Sequence, residues 1–264
     1  MLAASHLAYR YGPRRWGLLD GHFSVGGPVV GVLGPTGAGK STLLALLTAA
    51  RTATSGTLLV SGLDPGERRQ RRQLRSRLGF VPQSLSIHPR QTVGEFLAYV
   101  GWLRRVPAAA LGQAIADSLL ATDLTELRDR PVRSLPAGTR HRLVLAQVLV
   151  NRPSLVVLDE PLVGLGPEQW AQFLARVAAM RDDGTTVVLA TPLAADVAAV
   201  CTEVVVLAGG RTLFSGTTAA LAGVGGPAAQ PAGPAPVLAG YHRLLAGAGA
   251  VAGLAQACGR CEPS

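Results

Sequence analysis

Apolar residues along this chain gather into short β-branched runs, separated by stretches with helical spacing. Leu2 to Tyr9 predicts an opening strand, followed by a turn at Tyr11-Gly-Pro13. Strands near 21–25 and 29–33 come next, and the unbroken run Val29-Val-Gly-Val-Leu33 predicts burial on both faces. Ser55 to Gly62 and Leu78-Gly-Phe-Val-Pro-Gln83 predict two further strands, the second ending at a proline. Between them, Glu67 to Arg77 is the densest charge run. As a helix it is basic nearly all round, which predicts a solvated face, with contact to an anion or membrane surface as the lesser reading. From Thr92 to Ala121 the pattern turns helical (Glu95 to Leu103, then Ala108 to Leu120), and another helix follows Pro136 and runs to Val150. Alternation then resumes with a strand at Leu155 to Leu158, a helix from Pro167 to Arg181 and a strand from Thr185 to Ala190. A helix near Leu193 to Val200 and strands at Glu203 to Leu207 and Arg211 to Phe214 complete it. Such alternation predicts an α/β fold, a mostly parallel sheet with helices on both faces, an antiparallel β part at its N-terminal side and an inserted helical subdomain. The expected division is a domain over 1–222, with core segments 1–85 and 152–222 and a helical insertion at 86–151, then a linker and tail over 223–264. The linker, Gly223 to Pro236, is rich in Gly, Pro and Ala.

Composition modifies this picture modestly. Hydrophobic content is 48% and aromatic content 5%, so Ala, Leu and Val carry the core. The net charge of +9 permits nucleic-acid or anionic-membrane contact. The cations are almost all arginine, however, a compositional bias that raises charge without such a partner, and no nucleic acid is expected. The start lacks a basic segment followed by a long apolar core, so no signal peptide is expected. Nor does any run approach the ~18 to 20 apolar residues of a membrane span; Val237 to Ala257 comes nearest and is broken by His242, Arg243, Gln256 and glycines. Three cysteines, Cys201, Cys258 and Cys261, fit a reducing compartment, and Cys258-Gly-Arg-Cys261 lacks the second pair that a zinc site needs.

The chemistry is concentrated after the strand at Val29. Gly34, Pro35, Thr36, Gly37, Ala38, Gly39, Lys40, Ser41 and Thr42 spell G-x-x-x-x-G-K-[ST] between a predicted strand and a predicted helix. Glycines there let successive N–H groups curl inward, and the helix N-terminus adds partial positive charge, which together make a phosphate cradle. Lys40 is expected to reach the outer phosphates of a bound nucleotide, and Ser41 to offer its hydroxyl to magnesium. Lys40 is the only lysine among 25 Lys and Arg. A compact ammonium suits that position better than a planar guanidinium. A second element, Leu155-Val-Val-Leu-Asp-Glu160, ends a buried-type strand in two carboxylates. Phosphoryl transfer needs one acid near magnesium and one group to orient and deprotonate water. Asp159 and Glu160 stand in those places.

On these residues the chain resembles the ATP-binding subunit of an ABC transporter over roughly residues 1 to 222, most closely those paired with ABC-2-type export permeases. The resemblance implies a P-loop NTPase fold of RecA-like type. It identifies Gly34 to Ser41 as Walker A, Leu155 to Asp159 as Walker B and Glu160 as catalytic base. It further implies that Gln83, in Val81-Pro-Gln83, touches magnesium together with Ser41 and Asp159, and that Tyr11 stacks on adenine. Leu135, Pro136, Ala137, Gly138 and Thr139 occupy the signature position, and Gly164-Leu-Gly-Pro167 the D-loop. Three residues depart from the family pattern. Pro136 replaces a signature serine, removing a hydroxyl and an N–H; Gly166 replaces the D-loop aspartate; and Pro192 stands where the switch histidine should follow Thr191.

The function implied is an ATP-binding subunit that binds Mg-ATP and couples its hydrolysis to transport by a separate integral-membrane permease, an exporter. It would work as a homo- or heterodimer with a second ATP-binding subunit, peripheral to the cytoplasmic face of the cell membrane. The permease's cytoplasmic helix is expected near Gln83 and residues 86 to 104. The alternative is a nucleotide-binding regulatory or assembly subunit with little ATPase turnover, favoured by Pro136, Gly166 and Pro192. A protein acting on ribosomes or DNA fits 264 residues less well, since such relatives carry two domains or long insertions.

Overall fold

The computed structural model describes residues 1–83, 87–88, 90–162, 165–225 and 234–258, with side chains through 248. β1 (Leu2–Gly12) and β2 (Arg15–Val25) form an antiparallel hairpin, and β4 (Ser55–Val60) pairs with the other edge of β1. Gly12 pairs with Arg15, which leaves Pro13 and Arg14 as the turn. This corrects the expected turn at Tyr11-Gly-Pro13: Tyr11 lies on the strand, because cross-strand pairing carries on past the proline-flanked glycine.

The central strands are β3 (Val29–Leu33), β5 (Leu78–Val81), β6 (Leu155–Asp159), β7 (Thr186–Thr191), β8 (Glu203–Ala208) and β9 (Arg211–Thr217). Nine strands are joined in the order β4-β1-β2-β9-β8-β3-β7-β6-β5. β3 pairs in parallel with β7 and β8, and β6 with β5 and β7, whereas β9 is antiparallel to β8. β9 runs three residues beyond the expected Phe214, because its ladder with β8 continues to Thr217 opposite Glu203. Ser215 and Thr217 do not announce a strand, since its apolar pattern has already stopped.

Residues of β3 and β6 are buried along their full length, as both faces of the sheet are covered. Val30, Val32, Val157 and Val205 point to one side, where they pack with α1 (Lys40–Leu47) and the antiparallel strands. Val29, Leu33, Val156 and Val204 point to the other. There they meet α5 (Ala137–Leu149), α6 (Pro167–Asp182), α7 (Ala194–Val200) and α8 (Thr218–Val224). Alternation with period two thus feeds two cores from the same strands.

α2 (Arg68–Ser76) leads into β5, with Glu67 capping it by accepting from the Arg69 N–H. α3 (Val93–Leu103) opens on a capping box between Thr92 and Glu95, and α4 (Ala108–Ala121) follows. These two helices and α5 enclose a separate apolar cluster of Val93, Leu97, Ile115, Leu119 and Leu143. That cluster is the physical content of the inserted helical subdomain.

The C-terminal expectation needs correcting. Residue 222 falls within α8, and most of the supposed tail is α9 (Pro234–Cys258), whose Val237 and Tyr241 are buried in the second core. Gly240 lies so close to the Leu221 carbonyl that a Cβ has no room there. A composition of Ala, Gly and Pro looks like linker, yet small residues are what let α9 sit against α8. The Cys258–Cys261 spacing lies outside the described side chains.

Cys201 is buried beneath α7, and burial, aided by the Asp196 charge, pushes its thiol up to about 12 from 9.0. Only the thiolate is a nucleophile. Native protein at pH 8 should therefore leave Cys201 unmodified by iodoacetamide in peptide mass spectra, and label it after denaturation. Rapid native labelling would show that α7 does not seal the site.

Candidate nucleotide site

β3 delivers the chain at Gly34, and α1 begins at Lys40. The loop between them can close only with glycines. A Cβ on Gly34 would run into the Leu207 carbonyl, and one on Gly39 would lie 2.6 Å from the Gly17 carbonyl. Gly37 and Gly39 also have φ of 82° and 103°, in the region that glycine tolerates best. Ala38 N–H donates to the Pro35 carbonyl at 3.1 Å, which tightens the turn. Ser41 is exposed at the mouth, while Lys40 is only 4% exposed.

The Lys40 ammonium donates to the Gly34 carbonyl at 2.9 Å and the Pro35 carbonyl at 3.3 Å, and its Nζ lies 3.4 Å from Glu160 Oε1. Glu160 Oε2 accepts from Gln83 Nε2 at 3.0 Å. Residues 40, 83 and 160 thus converge from three elements. Glu160 itself has φ of 48°, held by its N–H donating to the Ala190 carbonyl at 2.9 Å. A non-glycine residue in this region costs about 1 kcal/mol or more, and such strain gathers at functional sites.

Asp159, at the end of β6, is 7% exposed, and its Oδ1 is buried without a hydrogen-bond partner. Burial holds its carboxyl above the ordinary value; Ser41 opposes this, Glu160 adds to it and Lys40 opposes it. An orphaned hard oxygen on a carboxylate that also faces the Ser41 hydroxyl is oxygen chemistry that fits magnesium. A raised folded-state value means that the protonated form is favoured by folding. The associated stability is present below the unfolded value and is lost as pH rises through the folded one. At neutral pH the ionised Asp159 is therefore a cost to the magnesium-free protein. Asp159→Asn should raise its melting temperature at pH 7 by about 2–4 °C, the shift that ~1 kcal/mol gives in a chain of this size. The gain should shrink at pH 5. A lower melting temperature for the variant at pH 7 would show that the carboxylate is well solvated.

Tyr11 donates or accepts a 3.0 Å hydrogen bond with Thr42 Oγ1, so β1 and α1 are tied at the mouth of the loop. The guanidinium of Arg15 lies 5.3 Å from the Tyr11 ring centre and that of Arg51 5.1 Å. Neither arginine is apparent in the sequence as a site residue, because each touches Tyr11 through the fold and carries no motif.

The 135–139 segment stands apart from this cluster. Leu135 is buried, Pro136 caps α5 with its carbonyl accepting from Arg140 N–H at 3.0 Å, and Thr139 is half-buried. Ala137 carbonyl bonds with His141 Nδ1 at 3.1 Å. Gly138 packs against the Gln169 amide, which would have to shift to admit a Cβ. Gly166 precedes α6, with its N–H donating to Gln169 Oε1 at 3.2 Å; Gly164 lies outside the described residues.

Pro192 follows β7 beside a polar network invisible in the sequence. Thr191 donates to Asp196 at 2.7 Å and accepts from Leu193 N–H at 3.1 Å, and Trp170 Nε1 donates to the same carboxylate at 3.2 Å. These three hydrogen bonds keep the buried Thr191–Asp196 pair satisfied within the fold.

The family model for the ABC transporter matches residues 23–163. The Nod factor export ATP-binding protein I of Ralstonia nicotianae is 35% identical over 219 residues, 82% of this chain and 67% of that protein. The daunorubicin resistance ATP-binding protein DrrA2 of Streptomyces coeruleorubidus is 33% identical over 216 residues, 81% of this chain and 66% of that one. Matches to two further relatives span 62% of one and 55% of the other. Among solved structures, cbiO1 of Clostridium perfringens, part of the ABC transporter complex cbiONQ, superposes with a TM-score of 0.71 at 26% identity. That match covers 82% of this chain and 88% of the other. A bacterial ABC transporter cassette solved as a dimer gives 0.72 over 82% of this chain and 98% of its own, and at 18% identity it speaks for the fold alone. With the glycine cradle, the Lys40–Glu160–Gln83 cluster and these likenesses together, the chain belongs to the ABC transporter family, as one of its ATP-binding subunits.

Proposed function

We propose that the chain binds Mg-ATP in the cradle of residues 34–42 and couples its hydrolysis to export through a separate integral-membrane permease. The observation that carries this reading is the convergence of Lys40, Gln83 and Glu160 beside the unpartnered Asp159 oxygen. Lys40 holds the outer phosphates, with a phosphate oxygen taking the place of Glu160 Oε1 among its acceptors. Ser41, Gln83 and Asp159 hold magnesium, which when bound neutralises charge on the phosphate oxygens. Glu160, freed from Lys40, orients and deprotonates the attacking water. Tyr11 meets the adenine, with Arg15 and Arg51 bracing its ring. The relatives' names, Nod factor export and daunorubicin resistance, support an export system. No helix among the described residues is long and apolar enough to cross a membrane, in keeping with attachment to the cytoplasmic face through the permease.

A second subunit is expected to complete the site with its 135–139 segment. A second reading, a regulatory or assembly subunit with little turnover, is favoured by Pro136, Gly166 and Pro192 at the positions named above. Phosphate release by the chain alone and by the chain purified with its permease separates the two. A rate that rises several-fold with the permease supports the coupled ATPase; none in either state supports the regulatory reading.

A further inference from the structure

We propose that the cavity between α4, α5 and α6 binds a small apolar amine that carries an acceptor oxygen. The cavity lies away from the nucleotide cradle. Ser154 and Thr185, just before β6 and β7, belong to its lining, whereas Asp159 and Thr191 stand at the far ends of the same two strands.

Its volume is about 510 Å³, within the ~300–1,000 Å³ of small-molecule sites. Helix stripes make the walls. Leu145 and Leu149 share one face of α5, and Arg176, Ala179, Met180 and Asp183 recur at i, i+3, i+4 and i+7 along α6 and its C-cap. Ala121 of α4 and Pro153 extend the apolar surface.

The direction of the helices sets the charge of the occupant. α4, α5 and α6 all reach the cavity with their last turn, so three C-terminal ends converge there, each with partial negative charge. Neither α4 nor α5 has a basic residue in that turn, and Arg181 of α6 pairs with Asp182. Both arginines of the lining are engaged as well, Arg152 by Asp117 and Arg176 by Asp123 at 2.7 Å. Asp183 is exposed at the rim and forms no ion pair among the described residues. Three helix ends and one free carboxylate thus favour a cation beside Asp183. Arg176 Nε is buried without a hydrogen-bond partner, and at 1.5 Å per residue Arg176 lies ~10 Å along α6 from Asp183. An ammonium at one end of the occupant, an apolar body and an acceptor oxygen at the other end match these groups in order. A carboxylate of the same size would set its charge against Asp183 and the helix ends.

The test is a fluorescence titration of the full chain with dansylcadaverine, which joins an apolar ring system and sulfonyl oxygens to a terminal ammonium. Dansyl-6-aminohexanoate, with a carboxylate in place of the ammonium, is the control. The amine should bind saturably with blue-shifted emission, and the carboxylate at least about tenfold more weakly, because like charges then meet at Asp183. Asp183→Asn should weaken the amine about fivefold, as suits an ion pair at an exposed rim, and narrow the gap between the two probes. Ala179→Trp, at an exposed position of the wall, should abolish binding by filling the cavity, with melting temperature and Mg-ATP affinity kept. If Ala179→Trp unfolds, Asp183→Asn and the paired probes still decide. No saturable binding of the amine by wild type, equal affinity for the two probes, unchanged binding in either folded variant, or displacement of the amine by Mg-ATP would overturn the proposal.

Discussion

Lys40→Ala is expected to weaken Mg-ATP binding by at least about tenfold. The ammonium is buried, braced by the Gly34 and Pro35 carbonyls and within 3.4 Å of Glu160 Oε1. A hydrogen bond to a charged group contributes about 1.5–3 kcal/mol, and ~1.4 kcal/mol is a factor of ten. Removing Lys40 also leaves Glu160 facing the phosphates without its cation, which adds repulsion to the lost bond. Lys40→Arg should not restore affinity, because a planar fork cannot take the place of a point donor between two carbonyls in a closed loop. Calorimetric titration checks both variants. Wild-type affinity in Lys40→Ala would mean that the phosphates lie elsewhere.

Repairing two residues should have an effect as large in the opposite direction. In a homodimer, Pro136 and Pro192 stand at both composite sites. Each missing donor to charge developing on the transferred phosphoryl group lowers turnover by ~10²–10³ when it acts alone, and groups acting as a unit are not additive. Pro136→Ser with Pro192→His is therefore expected to raise phosphate release at least tenfold. Pro136 is exposed at the α5 cap, where serine is a preferred residue. Pro192 follows a strand whose last residue, Thr191, is already anchored by Asp196, so the new imidazole extends from a fixed base. A double variant no faster than wild type would place the rate limit elsewhere.

Much of this was legible because local pattern and tertiary role coincide. Val29–Leu33 is apolar at every position, which is what a strand buried on both faces requires, and the glycines of 34–39 sit where backbones approach closely or φ turns positive. Asp159 and Glu160 were readable as a pair, yet the orphaned Asp159 oxygen, the strained Glu160 backbone and its bond to Gln83 arise only when β6, β5 and β7 come together. Gly12 and Pro13 signal a turn at Tyr11 locally, but cross-strand pairing prevails and keeps Tyr11 on β1. The Ala/Gly/Pro stretch after 223 concealed α9, since small residues mark both flexible chain and closely packed helices. The arginine run reads as a solvated face, yet it lines one groove with Arg104, Arg105 and Arg152, which lie too far along the chain for any local pattern to connect them with it.

Phosphate release by the purified wild-type chain at saturating Mg-ATP, with Glu160→Gln as the blank, tests the nucleotide site most directly. The expected rate lies above that blank but well below the ~1–10 s⁻¹ of ordinary enzymes. A wild-type rate within that ordinary range would show that Pro136 and Pro192 do not impair the site, and a rate equal to the blank would deny Glu160 its role.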